Sequence, residues 1–255
     1  MDYIAATIKS TLLEAARSRV AWMAVVVLGL ALGLAAFLQQ VALIEQKEIQ
    51  TAVAAAVLRA AAAFLVAAFV ITSLVREAND KVTELLLSQP VPRSAYFAGK
   101  FAGYALVGLA LGFFFAVPLA LFVPASRALV WGASLAFELL VVTAVSLFCV
   151  LSLTQTVPAF AATAGFYLLG RSIDAMRTIA ADPIGGITGW TDIAVRWIVD
   201  AIAVLMPSLD RITLTAWLLE GPPPLAEVGA LLVQTAIYVA LIGAAALFDL
   251  HRKSF

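Results

Sequence analysis

Long runs of apolar residues, separated by short polar segments, dominate the sequence. A helix needs about 20 mostly apolar residues to cross a bilayer. Apolar residues occupy every side of these runs instead of alternating with polar ones, which favours membrane helices over a β-barrel. The pattern predicts six spans, the fifth of them short, at about 20–38, 52–75, 95–123, 129–153, 157–170 and 225–250.

The first nineteen residues have a different, amphipathic pattern. Ile4, Ile8, Leu12 and Ala15 fall on one helical stripe, and charged residues lie elsewhere. This pattern is typical of a helix lying in the membrane interface before the first span. The alternative is a frayed tail.

The longest segment between spans, residues 171–224, is predicted to have helical structure of its own. Residues 192–206 read as an amphipathic helix, because Asp192, Arg196 and Asp200 are spaced by four. Pro207 ends that helix, since proline lacks a backbone N–H.

Composition supports a membrane location. Of the 255 residues, 64% are hydrophobic and 13% are charged, and the mean hydropathy is +1.03. Soluble domains carry about 25% charged residues. The net charge is zero, and no basic run indicates nucleic acid as a partner. With one cysteine, Cys149, and one histidine, His251, no catalytic or metal-binding residues are predicted.

The distribution of charge suggests an orientation. Six spans put both termini on one side, together with the loop at 76–93. That side carries nine Lys and Arg against six acids, and the opposite side carries six against nine, when Arg59 and Glu138 are left out. The positive-inside rule then places both termini in the cytoplasm and the 171–224 region outside it.

The cytoplasmic loop predicted at 76–93 contains a short amphipathic helix. Asn79 can cap it, and the prolines that begin at Pro90 end it. An apolar face presented at the membrane surface either packs on its own bundle or docks into a partner. The residues of that face are Val82, Leu85, Leu86 and Gln89.

This loop resembles a signature of ABC-2 type transporter permeases. The resemblance rests on Glu77, on the run Val-Thr-Glu-Leu-Leu-Leu-Ser-Gln-Pro-Val-Pro-Arg-Ser at 82–94, and on Gly99-Lys100. The layout is also similar to that family, including the copper-site maturation permeases of the nitrous oxide reductase system. The run Pro207-Ser208-Leu209-Asp210 resembles a short Pro-x-Leu/Phe-Asp element of the wider group.

The resemblance implies an all-α, integral, six-transmembrane-helix ABC-2 type bundle of the type V exporter kind, with an N-terminal interfacial helix and a cytoplasmic coupling helix. In the family, this helix sits in a cleft of the ATP-binding subunit. The residues expected to couple ATPase and permease are Glu77, Val82, Thr83, Glu84, Leu85, Leu86, Gln89, Pro90 and Arg93.

The resemblance also implies partners. The sequence contains no Gly-x-x-x-x-Gly-Lys-Ser/Thr motif, so ATP and Mg²⁺ are expected on a separate subunit and no cofactor on this chain. Two copies of that ATP-binding subunit and a second copy of this chain are expected in a bacterial cytoplasmic membrane. The resemblance leaves open whether an extracytoplasmic accessory protein also binds this chain.

Two charges fall in the interior of the predicted spans, well away from their ends. Arg59 and Glu138 lie at similar depth in the outer half, and charge at such depth costs about 2.5–3.5 kcal/mol on insertion scales. We predict that they pair or line a shared polar cavity. The alternatives are an Arg59 that extends to the interface and a structural Glu138 carboxyl.

Several alternatives stay open. The G-x-x-x-G spacings Gly29/Gly33, Gly99/Gly103 and Gly108/Gly112 suit either packing within one bundle or dimer contacts. The chain could instead be a membrane anchor that transmits force to an extracytoplasmic partner. An ion-coupled carrier with Glu138 as its proton site is a third interpretation, although no inverted repeat is visible.

Overall fold

A computed structural model describes residues 2–41, 46–80, 92–181 and 189–252. Within these ranges the secondary structure is helical, and no strand is present. The helices are α1 (Asp2–Arg17), α2 (Arg19–Val41), α3 (Gln46–Asn79), α4 (Arg93–Leu119), α5 (Ala125–Leu153), α6 (Thr156–Ala181), α7 (Trp190–Leu205), the single turn α8 (Ala216–Leu219) and α9 (Leu225–Arg252). The chain is therefore an all-α protein.

Five of these helices, α2, α3, α4, α5 and α9, are long and apolar enough to cross a membrane. They correspond to five of the six predicted spans. The remaining prediction, the fifth span at 157–170, falls inside α6. The 26 residues of α6 are long enough to cross a membrane. Arg171 and Asp174 lower the hydropathy of α6, and it is not among the five.

The predicted fifth span ends at Gly170, whereas helix α6 extends beyond that residue. Helix α6 continues to Ala181 without interruption. The hydropathy pattern places Arg171 in the following segment, because a charged residue commonly ends an apolar run. In the structure this arginine binds acceptors inside the protein, so its charge does not require the helix to end. The amphipathic helix predicted at 192–206 is present as α7, Trp190–Leu205.

Helix α5 forms the centre of the bundle. In its most apolar stretch 78% of the residues are buried, compared with 17% in each of α2 and α9. Trp131, Leu135 and Leu139 are fully buried there. A Cβ atom added at Gly132 would lie 2.5 Å from the Cβ atom of Ala116. A small residue at this position lets α4 and α5 pack closely.

Helix α1 is packed against the first turns of α4 instead of being a frayed tail. Built Cβ atoms at Gly99 and Gly103 would lie 3.1 Å from Cβ of Thr7 and 2.8 Å from Cβ of Thr11, respectively. The matching four-residue spacing shows that α1 and α4 run in the same direction. The chain then bends at Ser18 into α2.

The three glycine spacings have different environments. Gly99 and Gly103 contact α1, and Gly108 and Gly112 contact α5, all within one chain. Nothing in the described part of the chain lies within 4 Å of a Cβ built at Gly29 or Gly33.

Contacts between helix ends define two halves of the bundle. Glu14 pairs with Arg76, Arg93 reaches the carbonyl of Leu250, and Ser152 donates a hydrogen bond to Asp249. These contacts gather α1, the ends of α3, α5 and α9, and the start of α4. We call this the termini end, and the other part of the bundle the opposite half.

Candidate functional site

A cluster of charged residues lies in the opposite half of the bundle. Glu138 on α5 is fully buried, and its Oε1 atom lies 3.5 Å from Nη1 of Arg171 on α6. Arg59 on α3 and Tyr167 on α6 lie within range of electrostatic interaction with both. We call these four residues together with Thr213 the buried charge cluster.

The two arginines of the cluster also bind backbone carbonyls. Arg171 donates from Nη1 to the carbonyl of Leu209 at 2.6 Å and from Nη2 to that of Thr213 at 3.4 Å. Arg59 donates from Nη1 to the carbonyl of Thr213 at 2.8 Å. Charged donors make stronger hydrogen bonds than neutral ones. Two helices thus hold the segment 206–215 against the bundle.

The segment 206–215 contains the short Pro-x-Leu-Asp element noted in the sequence. Leu209 is fully buried, and its N–H donates to the carbonyl of Gly170 at 3.2 Å. A Cβ atom at Gly170 would lie 3.2 Å from both Cδ1 of Leu209 and the carbonyl oxygen of Pro207. The lack of a side chain at Gly170 therefore permits this close approach, which brings the Leu209 carbonyl to Arg171.

The structure brings Arg59 and Glu138 into one cluster, but the ion pair of Glu138 is with Arg171. No contact of 4 Å or less joins the carboxylate of Glu138 to Arg59 in the described residues. Sequence reasoning missed Arg171 because it ended the span one residue earlier. The spacing of Tyr167, Arg171 and Asp174 along one helical face could have revealed it.

Two further polar atoms of the cluster are buried. Glu138 Oε2 and Thr213 Oγ1 have no partner in the described ranges at full hydrogen-bond geometry, and their side chains lie close enough to interact with each other. Across residues 2–41, 46–80, 92–181 and 189–252, no three His, Cys, Asp or Glu residues lie close enough together to hold a metal ion. Through its two arginines, the cluster holds the segment 206–215 in position.

Asp210 extends this polar region toward the surface. Its Oδ1 atom is buried without a hydrogen-bond partner in the described part of the protein. Burial raises the pKa of the Asp210 carboxyl, and the negative charge of Asp174 raises it further. Asp174 itself lies 3.4 Å from Arg211.

A second set of charged contacts lies at the termini end, on both sides of the predicted coupling helix. Glu77, near the end of α3, forms an ion pair with Lys100 of α4 and accepts a hydrogen bond from Tyr96 at 3.5 Å. Arg93, the first residue of α4, donates to the carbonyls of Leu250 at 2.8 Å and His251 at 3.1 Å. We call these interactions the flank contacts.

The flank contacts include two of the nine residues expected to couple to an ATPase, Glu77 and Arg93. The other seven lie outside the described residues, because the structure describes nothing between 81 and 91. These seven are Val82, Thr83, Glu84, Leu85, Leu86, Gln89 and Pro90. Arg93 is placed to stabilise the end of α9, since the last carbonyls of a helix attract cations.

Fold and sites together define a class: an all-α protein whose five long apolar helices fit a multi-pass membrane protein. No protein-family model matches the chain, and no curated protein matches it in sequence.

Proposed function

We propose that this chain is the membrane-spanning permease subunit of an ATP-driven ABC-2 type transporter. It would couple ATP hydrolysis on a separate subunit to export of a substrate. The observation that supports this most is the set of flank contacts. Glu77 and Arg93 border the predicted coupling helix, and their partners tie its two sides to α3, α4 and α9.

Such an arrangement suits the transmission of force. A push on residues 81–91 would act on α3 and α4 through the ion pair of Glu77 and Lys100. It would act on the end of α9 through Arg93. Lys100 is only 5% exposed, so this pair is sheltered from the water that weakens surface ion pairs.

Helix α3 also provides a continuous link to the opposite half. Glu77 and Arg59 lie on the same helix, 18 residues and roughly 27 Å apart at the usual rise per residue. Arg59 holds the carbonyl of Thr213. Movement of α3 would therefore reach the segment 206–215.

The remaining parts of the proposal follow from this function. Two copies of the chain and two ATP-binding subunits would form the complex in a bacterial cytoplasmic membrane. Nucleotide and Mg²⁺ would belong to the ATP-binding subunits. Both termini would face the cytoplasm, on the side of the flank contacts.

One observation favours an alternative, a subunit that transmits force to an extracytoplasmic partner. Helices α6 and α7 pack together, and Arg177 lies 3.2 Å from Asp200 between them. Trp197 and Val204 of α7 are 74% and 83% exposed. An exposed apolar surface of this kind marks a binding site for a protein or a membrane.

Co-purification of the tagged chain from its native membrane tests the proposal. We expect a stoichiometric subunit with a Walker motif and ATPase activity. Glu84→Arg should reduce its capture, whereas Glu227→Arg, a matched reversal at the start of α9, should not. Normal capture and ATPase coupling by both Glu84→Arg and Leu86→Pro would exclude the coupling helix, and isolation without any ATPase would exclude the whole proposal.

A second measurement separates the two functions. Transport predicts that ATPase turnover in proteoliposomes responds to substrate and is unaffected by Trp197→Ala and Val204→Ala. Force transmission predicts that these substitutions release an extracytoplasmic partner and change ATPase turnover.

A further inference from the structure

Two cavities adjoin at the bend between α1 and α2. One is an apolar groove of about 430 Å³, bounded by α1, α2, α3 and α4. The other, the basic pocket, has a volume of about 600 Å³ and lies between the bend and the end of α3. Val20 lines both cavities, so they meet at the first turn of α2.

The apolar groove is formed by small side chains. Alanines line it on three helices, among them Ala16 of α1, Ala21 of α2 and Ala110 of α4. These three alanines are exposed at the surface of the chain. Leu12 and Phe114, which are 37% and 40% exposed, are larger side chains in the lining.

The basic pocket has a net positive lining. Arg17, Arg19 and Arg76 line it together with one acid, Glu14. Glu14 pairs with Arg76, whose side chain is 63% exposed. Arg17 and Arg19 are exposed and form no ion pair within the described residues. Two positive charges are thus left uncompensated beside an apolar groove.

We propose that this site binds an anionic phospholipid. One acyl chain would occupy the apolar groove, and the phosphate-bearing headgroup would lie at Arg17 and Arg19. The basic pocket lies at the termini end beside the last turns of α3, where the headgroups of a bilayer would lie. This inference is independent of the proposed transport function, because it requires only that the chain lies in a membrane.

The charge of the site favours an anionic lipid, because the lining of the basic pocket carries three arginines and one acid. A basic residue near a bilayer also favours anionic over neutral headgroups, by about fivefold in binding for each residue.

Native mass spectrometry of the full-length purified chain tests the proposal. The probes are phosphatidylglycerol and phosphatidylcholine with identical acyl chains, each titrated separately. We expect tighter binding of phosphatidylglycerol. The double variant Arg17→Gln/Arg19→Gln should weaken phosphatidylglycerol binding by roughly 30-fold and leave phosphatidylcholine binding unchanged.

Matched variants elsewhere in the chain control for the loss of positive charge and for the added bulk of a phenylalanine. Arg177→Gln/Arg196→Gln removes two arginines elsewhere and should not alter the preference. Ala21→Phe fills the groove from α2 and should weaken the binding of both lipids. Ala110→Phe fills it from α4 and should have the same effect. Ala162→Phe, an exposed alanine of α6 outside the groove, should have no effect.

Three results would overturn the proposal. One is equal binding of the two lipids by the unaltered chain. Another is a preference for phosphatidylglycerol that survives both Arg17→Gln/Arg19→Gln and the groove-filling variants. The third is disulfide cross-linking in membranes of two chains that carry Ala21→Cys and Cys149→Ala, because a second copy would then occupy the groove.

Discussion

The two sets of charged contacts in this protein, the buried charge cluster and the flank contacts, differ in what their charged side chains bind. In the buried charge cluster, Arg171 pairs with the carboxylate of Glu138, and both arginines donate hydrogen bonds to backbone carbonyls of residues 206–215. At the termini end, the flank contacts pair Glu77 with Lys100 and place Arg93 on the end of α9. One set holds a loop within the bundle, and the other ties helix ends together on both sides of a loop.

The difference shows that the contribution of a charged residue to stability depends on how deeply it is buried. Glu138 is fully buried, so its ionised form depends on Arg171 and on the cluster around it. Glu14 and Arg76, by contrast, form an ion pair in which the arginine is largely exposed. Buried pairs are costly to break because one charge is left without compensation, whereas exposed pairs contribute little.

The largest effect is expected from Arg171→Met. This change leaves Glu138 buried without its ion-pair partner and should lower the free energy of unfolding by about 3–5 kcal/mol. Unfolding in mixed detergent micelles measures it. Arg177→Met is the control, since both side chains of its pair are about half exposed, and should cost about 0–1 kcal/mol. Equal losses for the two variants would contradict the importance of the buried pair.

Glu77→Gln should have a smaller effect at the termini end. It removes the ion pair with Lys100 and should lower the free energy of unfolding by about 1.5–3 kcal/mol, the range for hydrogen bonds to charged groups. Glu14→Gln, which removes only the exposed pair with Arg76, should cost less than about 1 kcal/mol. The same unfolding assay compares them, and the reverse order would refute this ranking.

Gly170→Ala tests the close approach of residues 206–215. A methyl group there meets the carbonyl of Pro207 and the side chain of Leu209, and should cost about 1–2 kcal/mol. Gly165→Ala on the same helix has open space and should be neutral or stabilising by up to about 1 kcal/mol. Thermal denaturation of the purified protein distinguishes them. A stabilising Gly170→Ala would mean that the segment lies further away.

The smallest expected effect concerns Asp210 and pH. Because the folded pKa of Asp210 is raised, the unfolded chain loses this proton first as pH increases. Stability should therefore fall as pH rises from the ordinary aspartate pKa of about 3.9 to the raised value. Asp174, Arg211 and Arg171 are the charged groups that act on Asp210.

The variant Asp210→Asn removes this contribution. It should be more stable than the unaltered chain above that pH window, and the advantage should disappear below it. Unfolding free energies measured across the acidic range test the slope. The control Asp200→Asn removes an aspartate paired with an exposed arginine. A variant less stable than the parent at neutral pH would reverse the assigned sign.

Much of the helical layout could be predicted from the sequence because apolar runs of about 20 residues have few structural solutions in a membrane. Helices α2 and α9, which contain the spans predicted at 20–38 and 225–250, illustrate this. The end of α6 could not be predicted in this way. Hydropathy treats Arg171 as an interruption, whereas the structure supplies acceptors from Glu138 and from Leu209, 38 residues further along the chain.

The face by which α1 packs shows the same limit. The stripe of Ile4, Ile8, Leu12 and Ala15 indicated an amphipathic helix, but Thr7 and Thr11 are its most buried contacts with α4. Local periodicity cannot show that glycines at 99 and 103 offer space for two threonines. That information depends on two segments that are distant in sequence.

The sequence by itself determined that this chain is helical and apolar enough for a membrane, because backbone groups in lipid must be satisfied within each helix and side chains must match the solvent. It also identified Arg59 and Glu138 as unusual, since charge in hydrocarbon is costly. Only the tertiary structure decided which groups compensate those charges. Arg171 and the carbonyls of 206–215 reach them because the bundle brings distant segments within hydrogen-bonding distance.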